Sequence, residues 1–233
     1  MQNSIPLTAS AIALGLVVPA LAASNSYDYK KFSSIEADRG VHVTVVAGED
    51  YQVTATANRQ RLLRRVEIRQ MGDTLKISRR GSSIFLWGLA DRYEVTVGLP
   101  TLDGIEASSG AEFDVSGRVT DQLTVKASSG SDVDLDDLTP SDLSLRASSG
   151  AEITISGSCD QLSVRASSGS QVDAEDMVCA TAEIRTSSGA DVDAHVTDVL
   201  AAKASSGSDI DITGSPRVTR EEMSSGGDLA MMR

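Results

Sequence analysis

Asp132, Asp134, Asp136 and Asp137 crowd four carboxylates into one short run, the densest acidic cluster in the chain. Oxygen donors at that density could serve a calcium ion, which takes about six to eight of them. They could also serve as the paired carboxyls of a glycosidase, provided they flank a cleft. Alternating carboxylates on a strand all point one way without wrapping an ion, and the Gly-Gly-x-Gly-x-Asp turn of calcium-binding nonapeptide solenoids does not occur here. The four remain a calcium candidate on count alone; solubility and edge protection account for them without a metal.

The other reactive residue types are scattered. His42 falls in a strand-like run and His195 between two others, with no motif joining them. Serines recur throughout, yet no His or Lys stands at a fixed offset that could activate them. The reading is therefore of a chain with no catalytic residues and no cofactor, not an enzyme. The alternative is a carbohydrate-active β-helix enzyme of the polysaccharide lyase or hydrolase type, with an acidic site on one coil face. Against it, Phe113 is the only aromatic residue after residue 100, so platforms for stacking sugars are missing.

What positions all these side chains is a repeat. Ser-Ser-Gly returns seven times, with glycines at Gly110, Gly130, Gly150, Gly169, Gly189, Gly207 and Gly226. A period near twenty that tolerates small slips marks a solenoid, each repeat forming one coil stacked on the last. Aligned on the glycine, odd offsets are apolar. Five before it stand Val125, Leu145, Val164, Ile184 and Ala202; three after it stand Phe113, Val133, Ile153, Val172, Val192 and Ile210. Period-two alternation is the pattern of a half-buried strand. Each coil then has two short strands meeting at a glycine corner, where positive φ is tolerated, and a looser return of about six residues. In this alignment the second serine of each motif (Ser109, Ser129, Ser149, Ser168, Ser188, Ser206) points inward, into a stacked hydroxyl ladder.

Even offsets form charged ladders. Two and four residues after the glycines come Glu112, Asp132, Glu152, Asp191 and Asp209, and Asp114, Asp134, Asp173, Asp193 and Asp211; four before them come Lys126, Arg146, Arg165, Arg185 and Lys203. Like charges one strand spacing apart repel by about 1 kcal/mol in water. Residues 1–100 carry a net charge of +3 and residues 101–233 one of −15, giving −12 for the 233 residues. That balance excludes nucleic acid, whose phosphates need a basic footprint. Cys159 and Cys179 both lie ten residues before a corner glycine, so they occupy the same place on adjacent coils, within reach of a disulfide. That bond is preferred to two small buried thiols.

Residues 1–22 read as an export signal: an apolar stretch over 8–21 ends in Ala20-Leu21-Ala22, a small-x-small cleavage site, although the stretch is preceded by no Lys or Arg. Residues 27–100 hold seven of the eight aromatic residues and read as an irregular β cap with the first coils, continuous with the repeat of 101–233. The segment around Phe85, Leu86 and Trp87 either plugs the solenoid end or docks on a partner.

The order F-x-x-I (32–35), V-H-V-T-V-x-x-G (41–48), L-K-I-S (75–78) and V-T-V-G-L-P-T-L-x-x-I (95–105), followed by recurrent Ser-x-Gly-acid strands, resembles the bacterial head GIN domain family over about residues 30–230. The resemblance implies an all-β, single-stranded, right-handed parallel β-helix in an envelope protein labelled as an autotransporter-adhesin head, without established enzyme activity. The expectation is thus an exported scaffold in the periplasm, on the outer-membrane surface or secreted, at most peripheral to a membrane. Its repeated charged faces would contact a surface glycan, a protein or another copy of itself.

Overall fold

The computed structural model describes residues 23–80 and 93–232; the export signal of 1–22 and the segment holding Phe85, Leu86 and Trp87 lie outside the described residues. The described chain is nearly all strand. Its single helix, Gln60–Leu63 (α1), is one turn that tucks Leu62 and Leu63 into the core.

Two walls of parallel strands meet along the Ser-Ser-Gly corners. The wall before the corner contains β2 (Ser34–Ala37), β8 (Gly104–Ala107), β10 (Gln122–Ser128) and β12 (Asp142–Ser148). It continues through the second halves of β13 (Glu152–Ser167), β14 (Gln171–Ser187) and β15 (Asp191–Ser205) to β17 (Arg217–Ser224). The wall after the corner contains β3 (His42–Ala47), β9 (Glu112–Gly117) and β11 (Asp132–Leu138), the first halves of β13, β14 and β15, then β16 (Asp209–Gly214) and β18 (Asp228–Met231). Pairing is in register, so identical offsets stack: Leu123 on Leu143 on Leu162, Val125 on Leu145 on Val164. All six are buried. Each such leucine contributes roughly 1.5–3 kcal/mol by leaving water.

The return between the walls is itself extended in the central coils. Gly157, Ser158 and Cys159 pair with Met177, Val178 and Cys179, and Val178 and Cys179 pair in turn with His195 and Val196. These coils therefore have three paired segments, where the sequence suggested two and a loose connection.

The N-terminal end is closed by an insertion. Regular coil geometry begins at β2 and β3, which pair directly with β8 and β9. The intervening chain supplies β4 (Gln52–Ala57), β5 (Val66–Met71), β6 (Thr74–Arg79) and β7 (Tyr93–Leu99), and β1 (Ala23–Tyr27) joins them. Strands β6 and β7 continue the two walls in parallel, on β2 and β3. Beyond them β5, β4 and β1 run antiparallel. The reversal of direction ends the parallel template, which limits edge-to-edge growth.

At the corner the structure corrects the inward serines. Ser109, Ser129, Ser149, Ser168, Ser188 and Ser206 are exposed and hold φ between 54° and 60°, followed by a glycine that also has positive φ. Two successive left-handed residues break the period-two alternation, so counting by twos across the corner misplaces the serine. The buried position is the next residue, occupied alternately by Ala111, Ser131, Ala151, Ser170, Ala190 and Ser208. Main-chain bonds stack the corners: the amide of Gly130 donates to the carbonyl of Ser149, Gly150 to Ser168 and Gly189 to Ser206, at 3.1–3.2 Å. Glycine suits this place because its φ is positive and its amide must approach the next coil.

Candidate binding faces

Outward side chains on the two walls have opposite sign. After the corner, Glu112, Asp132 and Glu152 are in register, as are Asp191, Asp209 and Asp228; Asp114 stacks on Asp134, and Asp173, Asp193 and Asp211 form one run. Crowding is felt in the titration. Partial burial pushes the Asp134 carboxyl up, and Asp132, Asp114, Asp136 and Glu152 add to the effect. Burial likewise raises Asp193, followed by Asp211, Asp173, Glu175 and Asp191. At the N-terminal end of this ladder, His42 sets Nδ1 3.2 Å from Glu112 Oε2 and Nε2 3.1 Å from Asp114 Oδ2. It interrupts the run of carboxylates, standing in register between Glu112 and Glu94.

The four-carboxylate calcium candidate does not converge. Asp132 and Asp134 share the outward face, whereas Asp137 sits in a left-handed bend at φ 53°, its amide donating to the Ser156 hydroxyl oxygen at 2.9 Å. That bend is a second corner, seven residues after the glycine, and Gly117, Gly157 and Gly214 occupy the same place on other coils. A Cβ on Gly157 would stand 2.0 Å from the Leu138 carbonyl oxygen. Asp137 is thus explained by backbone geometry. Among the described residues no three His, Cys, Asp or Glu side chains gather in a way that could hold a metal ion.

Before the corner, Lys126, Arg146, Arg165, Arg185 and Lys203 form one column, each in register with the next. Acids close both ends: Glu106 lies 3.3 Å from Lys126 and Glu222 lies 3.1 Å from Lys203. Arg220 and Lys203 together hold the Glu222 carboxyl below the usual glutamate range. Further along, in the cap, the column runs from Glu106 to Glu36 to Lys76, and the Lys76–Glu36 ion pair raises the lysine. Two shallow troughs of about 530 Å³ and about 420 Å³ lie along this wall. Arg165, Arg185, Lys203 and Arg220 line the first; Thr124, Ser144, Ser163 and Thr181 line the second.

Cys159 and Cys179 are joined in a disulfide, Cα–Cα 4.6 Å, across the return segments of adjacent coils. No helix among the described residues is long and apolar enough to cross a membrane.

Comparison with known proteins agrees with this architecture. A family model described as "Putative auto-transporter adhesin, head GIN domain" matches residues 31–216. Among curated proteins no sequence matches the chain. A crystal structure of a "putative adhesin" from Bacteroides fragilis superposes with a TM-score of 0.79 at 16% identity, covering 91% of this chain and 96% of that one. A "putative adhesin" from Parabacteroides distasonis gives 0.66 at 18% identity, over 92% and 98% of the two chains. A "putative lipid binding protein" from the same species gives 0.61 at 16%, over 91% and 97%. Identities this low show a shared fold.

Proposed function

The chain belongs to the head GIN domain family, and we propose on that premise that it is a non-catalytic, exported scaffold that binds a glycan or protein of the cell surface through its charged walls. The observation that carries the reading is repetition. One wall offers a column of cations and the other a double column of carboxylates, each renewed on successive coils. Chemistry needs one unlike constellation with mutually tuned groups, whereas repeated like groups sum many weak contacts into useful avidity. A disulfide between neighbouring coils suits a compartment outside the reducing cytoplasm.

The test is a binding screen of the mature chain against surface glycans and envelope proteins, followed by graded neutralisation of the walls. Replacing two members of a column should weaken binding in part, and replacing the whole column should abolish it together with its salt sensitivity. A single substitution such as Asp134→Asn that eliminates all activity in a folded protein would overturn the scaffold reading.

A further inference from the structure

The cationic column is the least expected feature of so acidic a chain. Five cations stand about one strand spacing, roughly 4.8 Å, apart, with acids at the two ends and at Glu183 beside Arg185. Arg146 and Arg165, in the middle, are exposed and make no ion pair among the described residues. Stability alone would favour opposite charges on adjacent rungs, as in the Lys76–Glu36 pair of the cap. Alongside the column run the two troughs, whose outward side chains include the hydroxyls of Thr124, Ser144 and Ser163.

We propose that this wall binds a linear acidic polysaccharide carrying one carboxylate per sugar, with successive carboxylates meeting successive rungs from Lys126 to Lys203 while sugar hydroxyls bond the Thr and Ser side chains of the trough. This rests on the scaffold reading and names its ligand class. Spacing selects among polyanions. An extended acidic peptide presents same-side carboxylates every second residue, about 7 Å apart, out of step with the rungs. A pyranose chain advances by about one strand spacing per ring, so its carboxylates match the rungs along the axis wherever the glycosidic torsions hold them on one side and within reach of the long Arg and Lys side chains. Single-stranded nucleic acid is held by aromatic stacking as well as charge, and the one aromatic residue of the repeat, Phe113, is buried. The same lack removes stacking on neutral sugars, leaving charge and hydroxyl bonding as the available grip.

Calorimetry of the disulfide-bonded chain with hexagalacturonate, cellohexaose and a hexaglutamate peptide tests this. The acidic sugar should bind and weaken with added salt, and the two controls should bind at least about tenfold more weakly. Arg146→Gln/Arg165→Gln/Arg185→Gln should lose at least about tenfold in affinity for hexagalacturonate with an unchanged circular dichroism spectrum. Asp132→Asn/Asp134→Asn on the opposite wall should not weaken it. Absence of hexagalacturonate binding, equal binding of the peptide, or an undiminished triple variant would each overturn the assignment. If the chain ignores hexagalacturonate yet binds other surface glycans or proteins in the wider screen, only this assignment falls. If it binds nothing there, the scaffold reading falls with it.

Discussion

The amide of Gly40 donates to the carbonyl of Ser109 at 3.0 Å, joining the corner Asp38-Arg39-Gly40 to the first Ser-Ser-Gly corner across the whole inserted cap. Arg39 and Gly40 have φ of 58° and 64°, the same two left-handed residues as in the later coils. The corner is therefore a backbone device, and its side chains are replaceable where their geometry is kept.

Glycines of the two kinds of corner should respond unequally to alanine. At Gly157 the new Cβ meets the Leu138 carbonyl oxygen at 2.0 Å, while at Gly130 nothing lies within 4 Å. Gly130→Ala should cost about 1–2 kcal/mol, the penalty of a left-handed residue alone. Gly157→Ala should cost clearly more, because backbone must also move. Chemical denaturation of both variants checks the order, and equal losses would contradict it.

Serines in and beside the motif should also differ. Ser131 Oγ accepts from the Ser128 amide at 3.0 Å and donates to the Ala107 carbonyl at 3.2 Å, in the core. Ser131→Ala should lose about 1–3 kcal/mol, leaving a partly buried amide unpaired. Ser129, exposed at the corner, should tolerate alanine within about 0.5 kcal/mol. Thermal unfolding of the pair distinguishes this from an inward Ser129 ladder, which would reverse the ranking.

Reduction should weaken the fold without dissolving it. The Cys159–Cys179 bond spans a sequence separation of 20, for which loop entropy gives about 3 kcal/mol. Cys159→Ser/Cys179→Ser should show that loss in denaturant titration, and reductant should affect only the parent protein.

Mild acid should stabilise the chain through its carboxylate ladder. Asp134 and Asp193 bind protons more readily folded than unfolded, so stability rises as pH falls through their raised values toward the ordinary aspartate range. It is lost again as pH climbs past them. Glu222 acts in the opposite sense: its lowered value gives stability above the usual glutamate range that disappears on deeper acidification. Melting curves from neutral pH downward should first rise and then fall, and the rise should shrink in Asp134→Asn/Asp193→Asn.

The solenoid and its ladders were legible because in-register stacking turns sequence offset directly into spatial column. The Gly40 coil was legible too, by Ile35, Ala37, Val43 and Val45 at the standard offsets, but Asp-Arg-Gly hides it from a search for Ser-Ser-Gly. The second corner was harder to see: Gly117, Asp137, Gly157 and Gly214 share it, but Asp176 and Val196 stand there in the intervening coils. The troughs were not visible at all, since they depend on how long arginines and short serines lie across neighbouring strands.

The inserted cap also dictates the order in which the molecule can assemble. Coils from residue 104 onward contact neighbours about one repeat away, which are cheap loops to close. The first coil instead needs partners far ahead of it: Glu36 meets Lys76 at a separation of 40, and His42 meets Glu112 at a separation of 70. A chain threading out N-terminus first can pair β2 and β3 only with β6 and β7 of the cap, and must leave their other edges open until β8 and β9 have emerged. Contacts one repeat apart make the repeats the cheaper place to nucleate, while the coil that appears first is completed only when β8 and β9 close its open edges.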